Sequence, residues 1–155
     1  MTNMVFKNLK GKMIDLDKYA LQYMKEHPND QILVGCDSQV IGKKTVFAVV
    51  VAFYNYGHGG HIIFKKWKDD IIKTRQERLL IEVWKSIEVA EELRKNGFEA
   101  TYIDIDINPD PKYKSNEVLR QAVGMCEGMG YHVRYKHTAP LVTTMADYIA
   151  RGCGV

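Results

Sequence analysis

The chain has 155 residues, 46% of them hydrophobic, and a formal net charge of +3. That length supports a buried core without disulfides or structural metals, so one domain over residues 1–155 is expected. No run approaches the roughly 18 to 20 apolar residues of a membrane helix, and the first residues lack an apolar signal block. Cys36, Cys126 and Cys153 are widely spaced and form no CxxC pair, which argues against a disulfide framework or a zinc site and for a soluble, cytoplasmic protein.

Residues 16–26 set Leu16, Tyr19, Ala20 and Met24 at helical spacing, and His27-Pro28-Asn29-Asp30 stops them, predicting a helix within an N-terminal extension of residues 1–30. Residues 31–36 (QILVGC) form an apolar run that predicts a strand buried on both faces and ending at Asp37-Ser38. Residues 45–53 and 61–67, parted by the glycine-rich turn 55–60, complete a three-stranded meander. Thr74 and Glu77 make a capping box, Leu79, Val83, Ile87, Ala90 and Leu93 continue at helical spacing, and Asn96-Gly97 closes the helix.

Residues 98–107 alternate Ile103, Ile105 and Ile107 against Tyr102, Asp104 and Asp106, a strand with carboxylates along one face. Ser115 can cap a helix reaching about Met129, residues 131–135 read as a short strand, and Pro140 and Gly152 bracket a last helix. The order predicts an α/β fold. Its sheet is mixed and five-stranded, three strands antiparallel and two parallel, with helices on both faces and an extra N-terminal helix.

Five carboxylates stand out. Asp37 directly after an apolar strand needs neutralising, by a metal cation or by an Asx-type turn with Ser38. Asp104 and Asp106 share a strand face about 6 to 7 Å apart, and paired like charges there suit a cation between them. Asp106, nearer the carboxyl end, matches Asp37 better, leaving Asp104 as a supporting or solvated group. On the long helix Glu77 is used by the capping box and Glu88 and Glu92 point away from the apolar stripe. Glu82 at the stripe's edge is then the glutamate aimed at the sheet, or else an i to i+4 partner of Arg78. Asp147 lies among Leu141, Val142, Met145 and Ile149 in the last helix, as a ligand or as a solvent-facing residue.

Ahead of that helix, His137 can shuttle protons and Lys136 can hold a phosphate, or both serve the surface alone. His58 and His61 frame a Gly-Gly pair that reads as hairpin chemistry. Two stretches are locally basic: residues 61–80, with six cations to three anions, and residues 112–136, with five to two. Such patches can track a phosphate backbone or simply be solvated.

Taken together, strand Asp37, helical Glu82, strand Asp106 and helical Asp147 resemble the acidic quartet of ribonuclease H-like nucleases. The segments GCDSQV, QERLLIE, IDIN and TMADYI resemble more narrowly the YkuK-like bacterial family of that superfamily, over about residues 31 to 150. The resemblance implies two ions, Mg²⁺ or Mn²⁺, with Asp37 bridging them, Glu82 and Asp106 on one and Asp147 on the other. It implies a histidine, here His137, assisting product release, and products with a 3′-hydroxyl and a 5′-phosphate.

The expected activity is two-metal hydrolysis of phosphodiester bonds in RNA, an RNA:DNA hybrid or structured DNA. The alternative is a catalytically silent module of the same fold that binds nucleic acid or protein. A phosphotransferase is disfavoured by the lack of a GxxxxGK[ST] loop.

Overall fold

The computed structural model describes residues 4–55, 57–71, 74–106, 116–135 and 141–152. In chain order the elements are β1 (Val5–Lys7), β2 (Met13–Asp15), α1 (Leu16–Glu26), β3 (Gln31–Ile41), β4 (Lys44–Asn55), β5 (Gly59–Asp69) and α2 (Arg75–Lys95). They continue with β6 (Tyr102–Ile105), α3 (Asn116–Gly128), β7 (Val133–Tyr135) and α4 (Leu141–Ala150). The sheet order is β2-β1-β5-β4-β3-β6-β7. β3, β4 and β5 are antiparallel neighbours, while β6 joins β3 and β7 joins β6 in parallel.

The sheet has seven strands where the sequence pattern predicts five. The two extra strands, β1 and β2, pair with each other antiparallel and dock β1 on the outer edge of β5. Each is three residues long, too short for alternation to register, and they are joined through a turn in which Gly11 takes φ 84°. α1 follows directly, with the Asp15 carboxylate accepting from the Lys18 backbone N–H.

A second difference bears on the site. β3 does not stop at Cys36 but continues to Ile41, and Asp37 and Ser38 sit within it, opposite Ala48 and Phe47 of β4. Ladder pairing with β4 extends the strand through residues whose polarity suggests a turn. The turn comes at Gly42-Lys43, where Gly42 adopts φ 63°.

Strand alternation sorts the core into two layers. Ile32, Val34 and Cys36 of β3 pack with Phe47, Val49 and Ile63 beneath Val83, Ile87 and Ala90 of α2. Leu33, Ala48, Val50 and Phe64 face the other way, against Val142, Ala146 and Ile149 of α4. Thr74 caps α2 by accepting from the Glu77 backbone N–H, and Gly97 at φ 89° follows the helix's last turn.

Glu92 is a further correction, because it is buried on α2 rather than turned outward. It faces Asp17 of α1, whose carboxyl is pushed up to about 6 by burial and by Glu92. Helix α1 covers that side of α2, a contact that helical periodicity alone does not reveal. Cys36 and Cys126 are buried free thiols, and Cys153 lies outside the described residues. Among the described residues no helix is long and apolar enough to cross a membrane.

Candidate functional site

The site forms at the carboxyl end of β3, where the strand's alternation divides its polar residues between two helices. Gly35, Asp37 and Gln39 face α4, and Ser38 faces α2. A Cβ on Gly35 would lie 3.0 Å from Val142 Cγ1 and 3.3 Å from the Thr143 backbone nitrogen, so only glycine admits α4 this close. Asp147 follows Thr143 by four residues and Asp37 follows Gly35 by two. Each step advances about 6 Å along its element, which carries the two carboxylates to the same level.

They are joined there by Gln39, whose Nε2 donates to Asp147 Oδ1 at 2.5 Å and lies 3.4 Å from Asp37 Oδ2. Arg151, one helical turn beyond Asp147, donates through Nε to both of its oxygens at 2.9 and 3.0 Å. Asp147 is thus neither fully solvated nor free.

Glu82 reaches the same strand from the opposite face. It is buried on α2 and accepts a 2.5 Å hydrogen bond from Ser38 Oγ. Arg78, one turn earlier, donates to the Ser38 carbonyl at 3.1 Å and lies 3.3 Å from the Ser38 hydroxyl. The hydroxyl predicted for a turn therefore links strand and helix.

Asp104 and Asp106 separate into different roles. Asp104 is fully buried and takes a two-pronged bond from Arg134 of β7, 2.7 and 2.8 Å, while its Oδ2 accepts from the Val142 backbone N–H at 3.3 Å. Its charge is spent on Arg134 and on the first turn of α4. Asp106 follows the last residue of β6. The β3–β6 register pairs Gly35 with Asp104, and continuing it by two residues sets Asp106 beside Asp37.

The electrostatics reflect this gathering. Burial pushes the Asp37 carboxyl up to about 7, with further contributions from the charge of Asp106 and from the hydrogen bond and charge of Asp147. Burial, then the charge of Asp37, pushes Glu82 up to about 8, against the opposing pull of Ser38 and Arg78. Two of four neighbouring acids thus hold protons near neutrality when no cation is present.

The donor set is all oxygen, which suits a hard divalent cation, and the raised proton affinities mark sites where positive charge is wanted. As the side chains are placed, however, among the described residues no three carboxylate, imidazole or thiol groups close on one ion-sized point. Ser38 turns Glu82 to the α2 side, and Gln39 and Arg151 hold Asp147.

His137 and Lys136 lie outside the described residues. His58 and His61 are exposed beside the β4–β5 turn, where Asn55 faces Gly59, and His61 stacks with Tyr19 at 6.0 Å between centroids. Gln39 and Arg151 are missed by the sequence reading, which takes Arg78 only as a helical partner of Glu82 and Arg134 only as part of a basic stretch. Both missed residues carry a local signal: Gln39 shares a strand face with Asp37 at i+2, and Arg151 shares a helix face with Asp147 at i+4.

A family model described as Ribonuclease H-like matches residues 16–151. No curated protein matches the chain.

Proposed function

The chain belongs to the ribonuclease H-like family, and from that premise we propose that it is a divalent-metal-dependent nuclease. The observation that carries the proposal is the state of Asp37: buried in mid-strand, flanked by Asp106 and Asp147, and raised to about 7. Such a carboxylate is costly to keep unless a cation repays it.

Asp37, Glu82, Asp106 and Asp147 are the residues that would hold Mg²⁺ or Mn²⁺. When bound, a pair of such ions supplies an activated water and charge stabilisation at the leaving oxygen. The chain's own part is positioning. Ser38 and Arg78 orient Glu82 from below the strand, and Gln39 holds Asp147 over Asp37. Asp104, bonded to the Val142 N–H, anchors the N-terminal end of α4, and the close approach at Gly35 sets its height. The substrates that fit are RNA, an RNA:DNA hybrid or structured DNA.

A second reading is favoured by one observation: both oxygens of Asp147 bond to Arg151. A site locked in that way describes a catalytically silent module that binds nucleic acid or protein.

The deciding experiment offers labelled single-stranded, duplex, hybrid and four-way-junction substrates to the wild type and to Asp37→Asn, in Mg²⁺, Mn²⁺ or EDTA. Metal-dependent cutting that the substitution abolishes supports the nuclease. No cutting of any substrate, together with melting unchanged by metal, selects the silent module.

A further inference from the structure

We propose that the β3–β4–β5 face carries, at the carboxyl ends of β3 and β5, a cationic groove that holds the phosphodiester backbone of a single nucleic-acid strand. The groove deepens the nuclease reading: it rests on that reading for what is cut, but not for what is bound.

The register fixes its position. Asp37 pairs with Ala48 and Ala48 with Lys66, so Asp37 and Lys66 occupy one cross-strand row and point to the same face. The next row on that face runs from Gln39 through Val46 to Lys68, and the last joins Ile41 to Lys44. Lys66 therefore stands two strands from Asp37, about 10 Å away, with Lys68 about 7 Å further along β5.

Helix α4 covers Ala48 and ends at Ala150, and beyond it lies a groove of about 200 Å³ lined by Ile41, Lys44, Val46, Lys66, Lys68 and Arg151. Arg151 stands one helical turn from Asp147, so the groove leads around the end of α4 to the carboxylates. Lys44 lies 3.6 Å from Asp70, whereas Lys66 and Lys68 form no ion pair among the described residues.

The occupant follows from charge and size. Clustered acids repel a phosphate chain, and Lys66 and Lys68 beside them supply the attraction that brings one in. A space of about 200 Å³ takes the phosphates of one backbone. Within the basic stretch 61–80 the strand's alternation selects the residues: Lys65 and Trp67 face the α2 side, leaving Lys66 and Lys68 here.

The test measures binding in EDTA, so that no cutting intervenes. Anisotropy of a labelled single-stranded DNA, and of RNA of the same sequence, is followed against salt. The double variant Lys66→Gln/Lys68→Gln should bind about tenfold more weakly or worse at low salt. Its slope of log K against log salt should be shallower by about 1.4, two phosphate contacts at about 0.7 each. Lys18→Gln/Lys25→Gln, exposed on α1, should bind as the wild type does.

A larger loss with RNA than with DNA identifies RNA as the strand held, and the reverse identifies DNA. Wild-type affinity and slope in the groove variant overturn the proposal, as does absence of binding by the wild type. Groove-dependent binding without any metal-dependent cutting would leave the groove standing and defeat the nuclease. Cutting that needs Asp37 with binding indifferent to Lys66 and Lys68 would do the opposite.

Discussion

Gly35 and Thr143 meet so closely that a Cβ on the glycine would lie 3.2 Å from the threonine Cγ2 and 3.3 Å from its backbone nitrogen. Helix α4 rests on the backbone of β3, and this seat sets where Asp147 stands above Asp37. Gly35→Ala should therefore force α4 outward and cost about 1 to 3 kcal/mol, the usual range for overpacking. Gly124→Ala in α3, where an added Cβ meets nothing within 4 Å, should instead stabilise by about 0.5 to 1 kcal/mol. Urea denaturation of both variants checks the contrast. Equal effects would show that α4 yields freely.

The carboxylates set the pH dependence of the metal-free protein. Asp37 is raised from 3.8 to about 7 and Glu82 from 4.5 to about 8, so the folded state binds these protons more tightly than the unfolded chain. The stability they contribute is complete below about pH 4 and is lost as pH climbs through 7 to 8. In EDTA the protein should lose a few kcal/mol between pH 5 and pH 8.5. Asp37→Asn and Glu82→Gln should each flatten that decline and melt higher than wild type at pH 8.5. Urea midpoints across pH test this, and a wild-type midpoint that rises with pH would contradict it.

Arg134 and Asp104 form a buried pair in which the carboxylate is fully enclosed and the guanidinium is 19% exposed. Arg134→Met should cost about 3 to 5 kcal/mol, because it strands a buried charge that α4 also depends on. Asp104→Asn in that background should recover part of the loss by removing the charge. A double-mutant cycle measures the coupling, and additive effects would show that the pair contributes nothing jointly.

Much of the frame was legible in the chain because long elements carry strong periodic signals. The capping box at Thr74, the stripe through Leu79, Val83 and Ile87, and the apolar run before Asp37 all mark elements seen in the structure. β1 and β2 are not legible, since three residues cannot display a period and β5, the strand on which β1 docks, lies more than about 50 residues away in the chain. The extent of β3 is not legible because Asp-Ser resembles a turn, and only pairing with β4 shows otherwise. The site divided along the same line. Residue types and order pointed to Asp37, Glu82, Asp106 and Asp147, whereas Arg134 and Arg78 act across 30 and 40 residues of sequence.

Arg151 and Asp147 bear on both readings of function, which makes their bond the most informative one to break. The pair is an i to i+4 contact on an exposed helix face, with Arg151 59% exposed. Its loss should therefore change metal-free stability by less than about 1 kcal/mol. In a metal nuclease the guanidinium competes with the cation for Asp147, so Arg151→Gln should let Mg²⁺ act at a several-fold lower concentration. That gain reads out as a rise in melting temperature, since a ligand that binds only the folded state stabilises according to its concentration over Kd. Asp147→Asn should remove most of the same gain. If neither the wild type nor Arg151→Gln melts higher in Mg²⁺, the carboxylates hold no cation even when unlocked, and the silent module is the correct reading.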